Sequence, residues 1–271
     1  FGKGISVLPQ CLFEDCIGLT HIEIPDTVTT IDRNVFKNCS NLQSVQFGEC
    51  LTEIGNNAFD GCSALTDLLL PESLSKLGAG CFSECTSLKH VYIPANLAEV
   101  EFSIFGPFEY CSSLDSVTFG KDITQIPGRL FYNCTGLTHM EIPETVSTIG
   151  WYAFQGCENL AQITIPDSVT DIGAYTFDRS GLVTVTIPNS ITSYGDHIFE
   201  NCKKLTAAVL SKTALNVPHN MFSGCTSLKT VALPDGMTAI RYSTFENCVS
   251  LENLNFLPDS VTTIEWEAFE G

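Results

Sequence analysis

Cysteine is the residue type in this chain with the widest possible chemistry, because a thiol can form disulfides, bind metals or act as a nucleophile. The 271 residues contain 13 cysteines. Ten of them hold one position of a repeated pattern, and Ser180 takes that position once. The ten are Cys16, Cys39, Cys62, Cys85, Cys111, Cys134, Cys157, Cys202, Cys225 and Cys248.

The placement of these cysteines favours packing over chemistry. Equivalent residues of stacked repeats lie about 4.8 Å apart with nearly parallel side chains, a direction that suits the disulfide torsion poorly. The sequence has no Cys-x-x-Cys pair and no histidine beside the repeated position, so zinc is not expected. We therefore predict a ladder of buried, reduced thiols.

Acidic side chains are the second possible source of chemistry, and most of them follow a proline in a turn. The turn acids are Asp26, Glu72, Glu144, Asp167, Asp235 and Asp259. A solvated edge explains these acids more simply than an acid–base pair does. Loose binding of calcium along this edge is kept as an alternative interpretation. The chain contains no nucleophile elbow, zinc-protease, P-loop or dinucleotide-binding motif. We therefore expect no catalytic residue, no cofactor and no metal.

A repeat of 23 residues positions these side chains. The string Phe-x-Asn/Gly-Cys-x-x-Leu is first complete at residues 36–42 and returns at 59–65 and, with Glu84 in place of Asn or Gly, at 82–88. Counted from the leucine, one repeat is L-x-x-I-x-I-P-x-x-V-T-x-I-G-x-x-A-F-x-N/G-C-x-x. A fixed period of this length is typical of a solenoid, in which only neighbouring coils cover one another. We predict one continuous solenoid over residues 1–271, with about eleven coils and partial coils at both ends.

The first side of each coil is predicted to be a strand. Ile22 and Ile24 alternate with His21 and Glu23, which is the period of a strand with one buried face. Strands one coil apart must run parallel, so the coils build a parallel sheet. Pro25 then ends the strand because it has no N–H to donate.

The other two sides of the coil carry the remaining apolar positions. Val28 and Ile31 form a second inward pair, and Ala58-Phe59 belongs to a third side with room for about one helical turn. We expect the phenylalanines to stack in the core. This third side closes with asparagine or glycine, which tolerate the left-handed conformation that ends a helix. These residues are Asn38, Gly61, Asn133, Gly156, Asn201, Gly224 and Asn247.

Two coils depart from the pattern. One inserts three residues between Phe105 and Cys111, through Gly106-Pro107-Phe108, and the other has Ser180 and is one residue short before Leu182. Insertions in a solenoid form loops on one face, which is sometimes the binding face. The alternative is that these two changes in loop length are neutral and have no role in binding.

The bulk composition limits the class of protein. Hydrophobic residues make up 44% of the chain and charged residues 16%, which excludes disorder. The net charge of −18 argues against nucleic acid and anionic membranes as partners. No apolar run is long enough to span a membrane, and no signal peptide opens the chain, which begins inside a coil. We expect a fragment of a longer precursor whose targeting segment lies elsewhere.

The repeat resembles the BspA-like leucine-rich repeat family, in its subclass with 23-residue repeats. Residues 165–177, Ile-Pro-Asp-Ser-Val-Thr-Asp-Ile-Gly-Ala-Tyr-Thr-Phe, carry the distinctive string almost unbroken. The resemblance implies an α/β-type solenoid, a right-handed superhelix with a parallel β-sheet on one face and short helical turns on the other. It also implies an extracellular or cell-surface location, adhesion to host matrix or cell-surface proteins, and no shared catalytic residues.

The outward strand positions offer a candidate binding surface. Leu69 and Tyr92 are exposed hydrophobic side chains on adjacent coils, flanked by Asp67 and His90. Aromatic anchors within a polar surround are typical of protein interfaces. The alternative is that this pair is ordinary surface.

The sequence favours a non-enzymatic interaction module, secreted or on the cell surface, that functions in adhesion by binding a protein partner. The alternative is a rigid stalk or spacer that displays another domain of a longer surface protein. We expect neither nucleic-acid binding nor membrane insertion, and the oligomeric state stays open.

Overall fold

The solenoid predicted from the 23-residue period is confirmed. The protein is described by a computed structural model that covers residues 4–101, 103, 105–252 and 256–271. It is a parallel-sheet solenoid of about 11 turns. Its contacts group into two compact units, Phe1–Ile123 with Arg129–Leu137 and Thr124–Gly128 with Thr138–Gly271. A single continuous solenoid over residues 1–271 stays a prediction.

One set of strands has three or four residues each and forms what we call the long-strand face. These strands are β2 (His21–Glu23), β4 (Ser44–Gln46), β6 (Asp67–Leu69), β8 (His90–Ile93), β10 (Ser116–Phe119), β12 (His139–Glu141), β14 (Gln162–Thr164), β16 (Thr184–Thr186), β18 (Ala207–Val209) and β19 (Thr230–Ala232). In β6 the middle residue is buried and the outer two are exposed, as the period-2 pattern predicted. Neighbours pair in parallel one coil apart, for example Ile22 with Val45.

The second set has two residues per strand and forms the short-strand face. These strands are β1 (Val7–Leu8), β3 (Thr30–Ile31), β5 (Glu53–Ile54), β7 (Lys76–Leu77), β9 (Glu99–Val100), β11 (Gln125–Ile126), β13 (Thr148–Ile149), β15 (Asp171–Ile172), β17 (Ser193–Tyr194), β20 (Ala239–Ile240) and β21 (Thr263–Ile264). They also pair in parallel, in the orders β1-β3-β5-β7-β9, β11-β13-β15-β17 and β20-β21. The threonines beside these strands bond to the previous coil: the Thr52 hydroxyl donates to the Thr29 carbonyl oxygen at 3.0 Å.

The short helical turns predicted for the third side are wrong, because the described residues contain no helix. Two left-handed residues, Asn34 and Asn38, both at φ 58°, flank Phe36. The amides of Phe36 and Asn38 donate to the carbonyls of Ala58 and Asp60 in the next coil, both at 2.7 Å. The one amide between them, that of Lys37, donates to the Asn34 carbonyl three residues back along the chain, at 3.2 Å. With alternate amides committed to the next coil, the bonds that propagate an α-helix cannot form.

The left-handed conformation predicted at the asparagine or glycine position is confirmed. All seven residues have φ between 53° and 74°: Asn38, Gly61, Asn133, Gly156, Asn201, Gly224 and Asn247. At this position the left-handed residue closes a chain of turns rather than a helix. Its backbone conformation allows the N–H to point at the next coil.

The phenylalanine ladder fills the core, and it corrects the position of the insertion. Phe108 is fully buried and its ring centroid lies 5.4 Å from that of Phe82, whereas Phe105 is 47% exposed. The Cys111 amide donates to the Phe108 carbonyl at 3.2 Å, and in the regular coils the ladder cysteine likewise donates to the phenylalanine three residues before it. Phe108, and not Phe105, is therefore the ladder residue of this coil. The three extra residues lie before the ladder phenylalanine, and the segment from Phe108 to Cys111 has the regular length.

The thiol ladder is confirmed, with one exception. All 13 cysteines are free thiols. A ladder cysteine donates its S–H to the phenylalanine carbonyl of the previous coil; for Cys62 and Phe36 the Sγ–O distance is 3.2 Å. Nine of the ten ladder cysteines are buried, but Cys16 is exposed because no described coil covers its thiol. Cys81, outside the ladder, is also buried.

We expect a thiol reagent at neutral pH to modify Cys16 and Cys50 first and Cys11 more slowly. These thiols are exposed or half-buried, whereas the other ten are buried. Burial raises the pKa of Cys39 to about 11 and that of Cys248 to about 12, so their reactive thiolates are scarce. Mass spectrometry after timed labelling measures the order, and full labelling in denaturant is the control. Rapid native labelling of Cys62, or a disulfide between ladder cysteines, would contradict the buried ladder.

Candidate functional site

The four residues predicted as a binding surface lie together on the long-strand face of the first unit. Strands β6, β8 and β10 form one parallel sheet in that order. Asp67 pairs with His90 and Leu69 pairs with Tyr92, and the next strand adds Thr118 beside Tyr92. We call these five residues the β6–β8–β10 patch.

The two hydrophobic members of the patch differ in exposure. Leu69 is 65% exposed, which is high for a leucine on a strand. Tyr92 is only half-buried rather than fully outward. Its hydroxyl donates to the carboxylate oxygen Oε1 of Glu72, in the turn of the preceding coil. The Asn96 side chain donates to the Glu72 carbonyl oxygen at 2.8 Å, so the turn that holds Tyr92 is itself tied to the next coil.

Gly120 provides the space in which the Tyr92 hydroxyl meets Glu72. This glycine stands where most coils have proline. A Cβ atom at Gly120 would lie 2.5 Å from the Ala95 nitrogen and 3.0 Å from the Tyr92 hydroxyl oxygen. Any larger residue at position 120 would therefore push against the turn and the phenol.

The polar part of the patch is also ordered by contacts between coils. The His90 Nε2 atom lies 3.0 Å from the Thr118 hydroxyl oxygen, within hydrogen-bond distance. Within the described ranges, no group of three or more His, Cys, Asp or Glu side chains is placed to hold a metal ion. The patch can thus offer an apolar area of Leu69 and Tyr92 framed by hydrogen-bonding groups.

We expect Tyr92 to stay protonated until about pH 12. The hydrogen bond to Glu72 is the main cause, and it raises the pKa of Tyr92 from 10.0 to about 12. Because the folded-state pKa is raised, the contact stabilises the fold fully below about pH 10 and is lost as the pH rises through about 12. A tyrosinate absorbance titration measures this, with Tyr92→Phe to assign the signal. Glu72→Gln should return the pKa towards 10, and ionisation of wild-type Tyr92 near pH 10 would contradict the contact.

The sequence did not identify Glu72 as part of the site. In the sequence Glu72 is one of the turn acids, whose common position after proline indicates only a solvated edge. The available signal was the separation of 20 residues between Glu72 and Tyr92. In stacked coils that separation places a turn acid beside the outward tyrosine of the next strand.

A second ordered surface row also escaped the sequence analysis. Tyr152, Tyr175 and His197 stack on successive coils of the second unit, with ring centroids 4.8 and 4.3 Å apart. All three are left-handed residues at the position two before the ladder phenylalanine. Their half-buried rings are covered mainly by one another, so they offer edges rather than open faces.

The Gly106-Pro107-Phe108 segment is less suited to binding than the sequence indicated. Phe108 is buried in the core, and Gly106 and Pro107 are buried as well. Phe105, before them, and Tyr110, after them, are exposed aromatic residues of this coil, at 47% and 51%. A partner that used this irregular coil would therefore meet Phe105 and Tyr110 and not Phe108.

Comparison with known proteins agrees with this architecture. The family model described as BspA type leucine rich repeat region (6 copies) matches residues 6–134, 106–206 and 195–271. A solved leucine-rich repeat protein from Bacteroides ovatus is 26% identical over 96% of this chain and 78% of its own, with a TM-score of 0.70. Another from Eubacterium ventriosum is 25% identical over 100% of this chain and 81% of its own, with a TM-score of 0.59. No curated protein matches the chain.

In the described part of the chain, no helix is both long enough and apolar enough to cross a bilayer.

Proposed function

The chain belongs to the BspA-type leucine-rich repeat family, and from that premise we propose that it is a non-enzymatic module for protein binding, secreted or held at the cell surface. Leucine-rich repeat families are in general non-catalytic scaffolds that mediate protein binding. The partner we propose is a host matrix or cell-surface protein, and the contact is adhesive. The docking surface is the β6–β8–β10 patch.

The observation that carries this proposal is the pairing of Leu69 with a tethered Tyr92. Binding hot spots are large side chains that lose little conformational freedom when the partner arrives. The Glu72 carboxylate already fixes the Tyr92 hydroxyl. Part of the conformational entropy of the Tyr92 side chain is therefore lost on folding rather than on binding. Leu69, 65% exposed beside it, adds apolar area that a partner can bury.

The polar neighbours and the overall charge shape the choice of partner. Asp67 and His90 lie across from each other at one edge of the apolar pair. The net charge of −18 favours association with a partner that presents a basic face. Removal of a distant turn acid such as Asp167 or Asp235 should therefore change mainly the on-rate and its salt dependence.

We expect Tyr92→Ala to weaken binding by about 2 kcal/mol or more, which is about thirty-fold in Kd. The measurement is affinity for purified extracellular-matrix proteins and intact host cells. Leu69→Ala should also weaken binding, while Val209→Ala, a 43% exposed position on β18, is the matched control. Tyr92→Phe keeps the ring and loses the tether, so it should lose less than Tyr92→Ala.

Thermal unfolding of each variant checks that the fold is retained. Binding that survives the Tyr92→Ala and Leu69→Ala double variant would overturn the assignment to this patch. A loss that Val209→Ala shares equally would show that the effect is not local.

The regular bonding between coils favours a second candidate function, that of a rigid spacer for another domain. Alternate amides on the third side, together with hydroxyls such as that of Thr52, tie neighbouring coils together. If the chain is only a spacer, the wild-type protein should bind neither the purified extracellular-matrix proteins nor the host cells. The two functions are therefore separated by the wild-type measurement itself, before any variant is made.

A further inference from the structure

The coil that contains Ser180 opens a cleft at one corner of the second unit. Its corner has one residue fewer than the corresponding corners Cys157–Leu160 and Cys202–Leu205 on either side. The Gly181 amide donates to the Cys157 carbonyl at 3.0 Å, which draws the short corner towards that coil. A cavity of about 550 Å³ lies here, lined by both neighbouring corners and by Ser180. This volume falls within the range of small-molecule sites.

Positive charge is concentrated around this cleft. Arg179, Lys203 and Lys204 line it, although the whole chain has only 13 lysine and arginine residues and a net charge of −18. The acidic groups that face them are Glu158, in the lining, and Asp178, whose Oδ2 atom lies 4.0 Å from the Arg179 Nε. Among the side chains that line the cleft, three cations thus face one carboxylate, that of Glu158, which leaves the lining positive within an acidic protein.

Two of the three cationic side chains, those of Lys204 and Arg179, have contacts that hold them at the cleft. The Lys204 ammonium donates to the Glu158 carbonyl oxygen at 2.9 Å and so bridges two coils across the short corner. The Asp178 carboxylate accepts a hydrogen bond of 2.5 Å from the Gln155 side chain, and it is buried beside the Arg179 guanidinium, which is itself 63% exposed. The guanidinium can thus present its donors to a ligand.

We propose that this cleft binds a small oxyanion, a carboxylate or sulfate group, which an acidic sugar or a free anion would supply. One arginine and two lysines line it, and arginine binds carboxylate, sulfate and phosphate oxygens through its planar fork. The repulsion from the rest of the acidic surface is screened beyond about 8 Å at physiological ionic strength, so the local charges dominate. This site is independent of the docking proposed for the β6–β8–β10 patch.

The test is titration of the whole chain with glucuronate, inorganic sulfate and the neutral methyl glucoside, followed by calorimetry and by NMR shifts. We expect saturable binding of the anions, no binding of the neutral sugar, and shifts at the cleft. Glucuronate bound much more tightly than sulfate would identify an acidic sugar as the source of the oxyanion, and equal affinities would identify a free anion. Absence of saturable binding to either anion would overturn the proposal.

Variants locate the site. Arg179→Gln and Lys204→Gln should each raise the Kd at least ten-fold, while Lys229→Gln, an exposed lysine outside the cleft, should leave it unchanged. Insertion of one serine after Ser180 restores the regular corner length and should abolish binding. Circular dichroism and thermal unfolding verify that each variant is folded. Equal weakening in all three glutamine variants would show nonspecific charge attraction and would refute the cleft.

Discussion

Replacement of Phe108 by alanine is expected to lower the free energy of unfolding by about 3 to 5 kcal/mol, the range for removal of a buried aromatic side chain. Its ring is fully buried and lies between those of Phe82 and Phe131, with centroid distances of 5.4 and 6.3 Å. Neighbouring coils on both sides keep the cavity from collapsing. Chemical denaturation followed by circular dichroism measures the change.

Phe105→Ala is the matched control, since it removes the same side chain three residues earlier. Phe105 is 47% exposed, so its loss should change the free energy of unfolding by about 0.5 kcal/mol or less. Equal costs for the two variants would place Phe105 in the ladder, as the sequence alone indicated, and would refute an insertion that precedes Phe108.

Gly195→Ala is expected to cost about 2 to 3 kcal/mol, towards the upper end of what overpacking costs. A Cβ atom at Gly195 would lie 2.3 Å from the Ala174 nitrogen and 2.6 Å from the Gly173 carbonyl carbon. Both are backbone atoms, so no flexible side chain can yield. The backbone of one coil would have to shift, and a thermal or chemical unfolding curve reports the cost.

Gly18→Ala provides the comparison. A Cβ atom there would meet nothing within 4 Å, and its φ lies outside the left-handed region. The variant should be neutral or stabilised by about 0.4 to 1 kcal/mol through the lower entropy of the unfolded chain. If Gly195→Ala were equally harmless, the close approach of the two coils would not exist in solution.

The sequence predicted the strands because their signal is local and repeats with the coil. Alternation around Ile22 and the proline after it are sufficient to define a strand with one buried face. The helical turns could not be excluded in this way, because a helix and a chain of turns need similar residues near Phe36. The difference lies in the amide partner, which for Phe36 is the carbonyl of Ala58 in the next coil.

The sequence predicted which residues lie together in the candidate patch but not the contacts that they make. Alternation and the 23-residue period place Leu69 beside Tyr92, and the structure confirms that pairing. The tether to Glu72 depends on the side-chain conformation of Tyr92, which no periodicity encodes. The cleft beside Ser180 depends on how neighbouring coils close around one missing residue, and that follows only from packing.

The hydrogen bonds between coils carry a consequence for how the chain folds. Within each unit these bonds join residues about one coil apart, as the Phe36 amide joins the Ala58 carbonyl. The entropy lost on closing a loop depends on its length, so each added coil closes a loop of nearly the same cost. The barrier should lie in forming the first two adjacent coils, after which growth is downhill and can start anywhere. Additional coils should then raise the stability of the array while leaving its folding rate nearly constant.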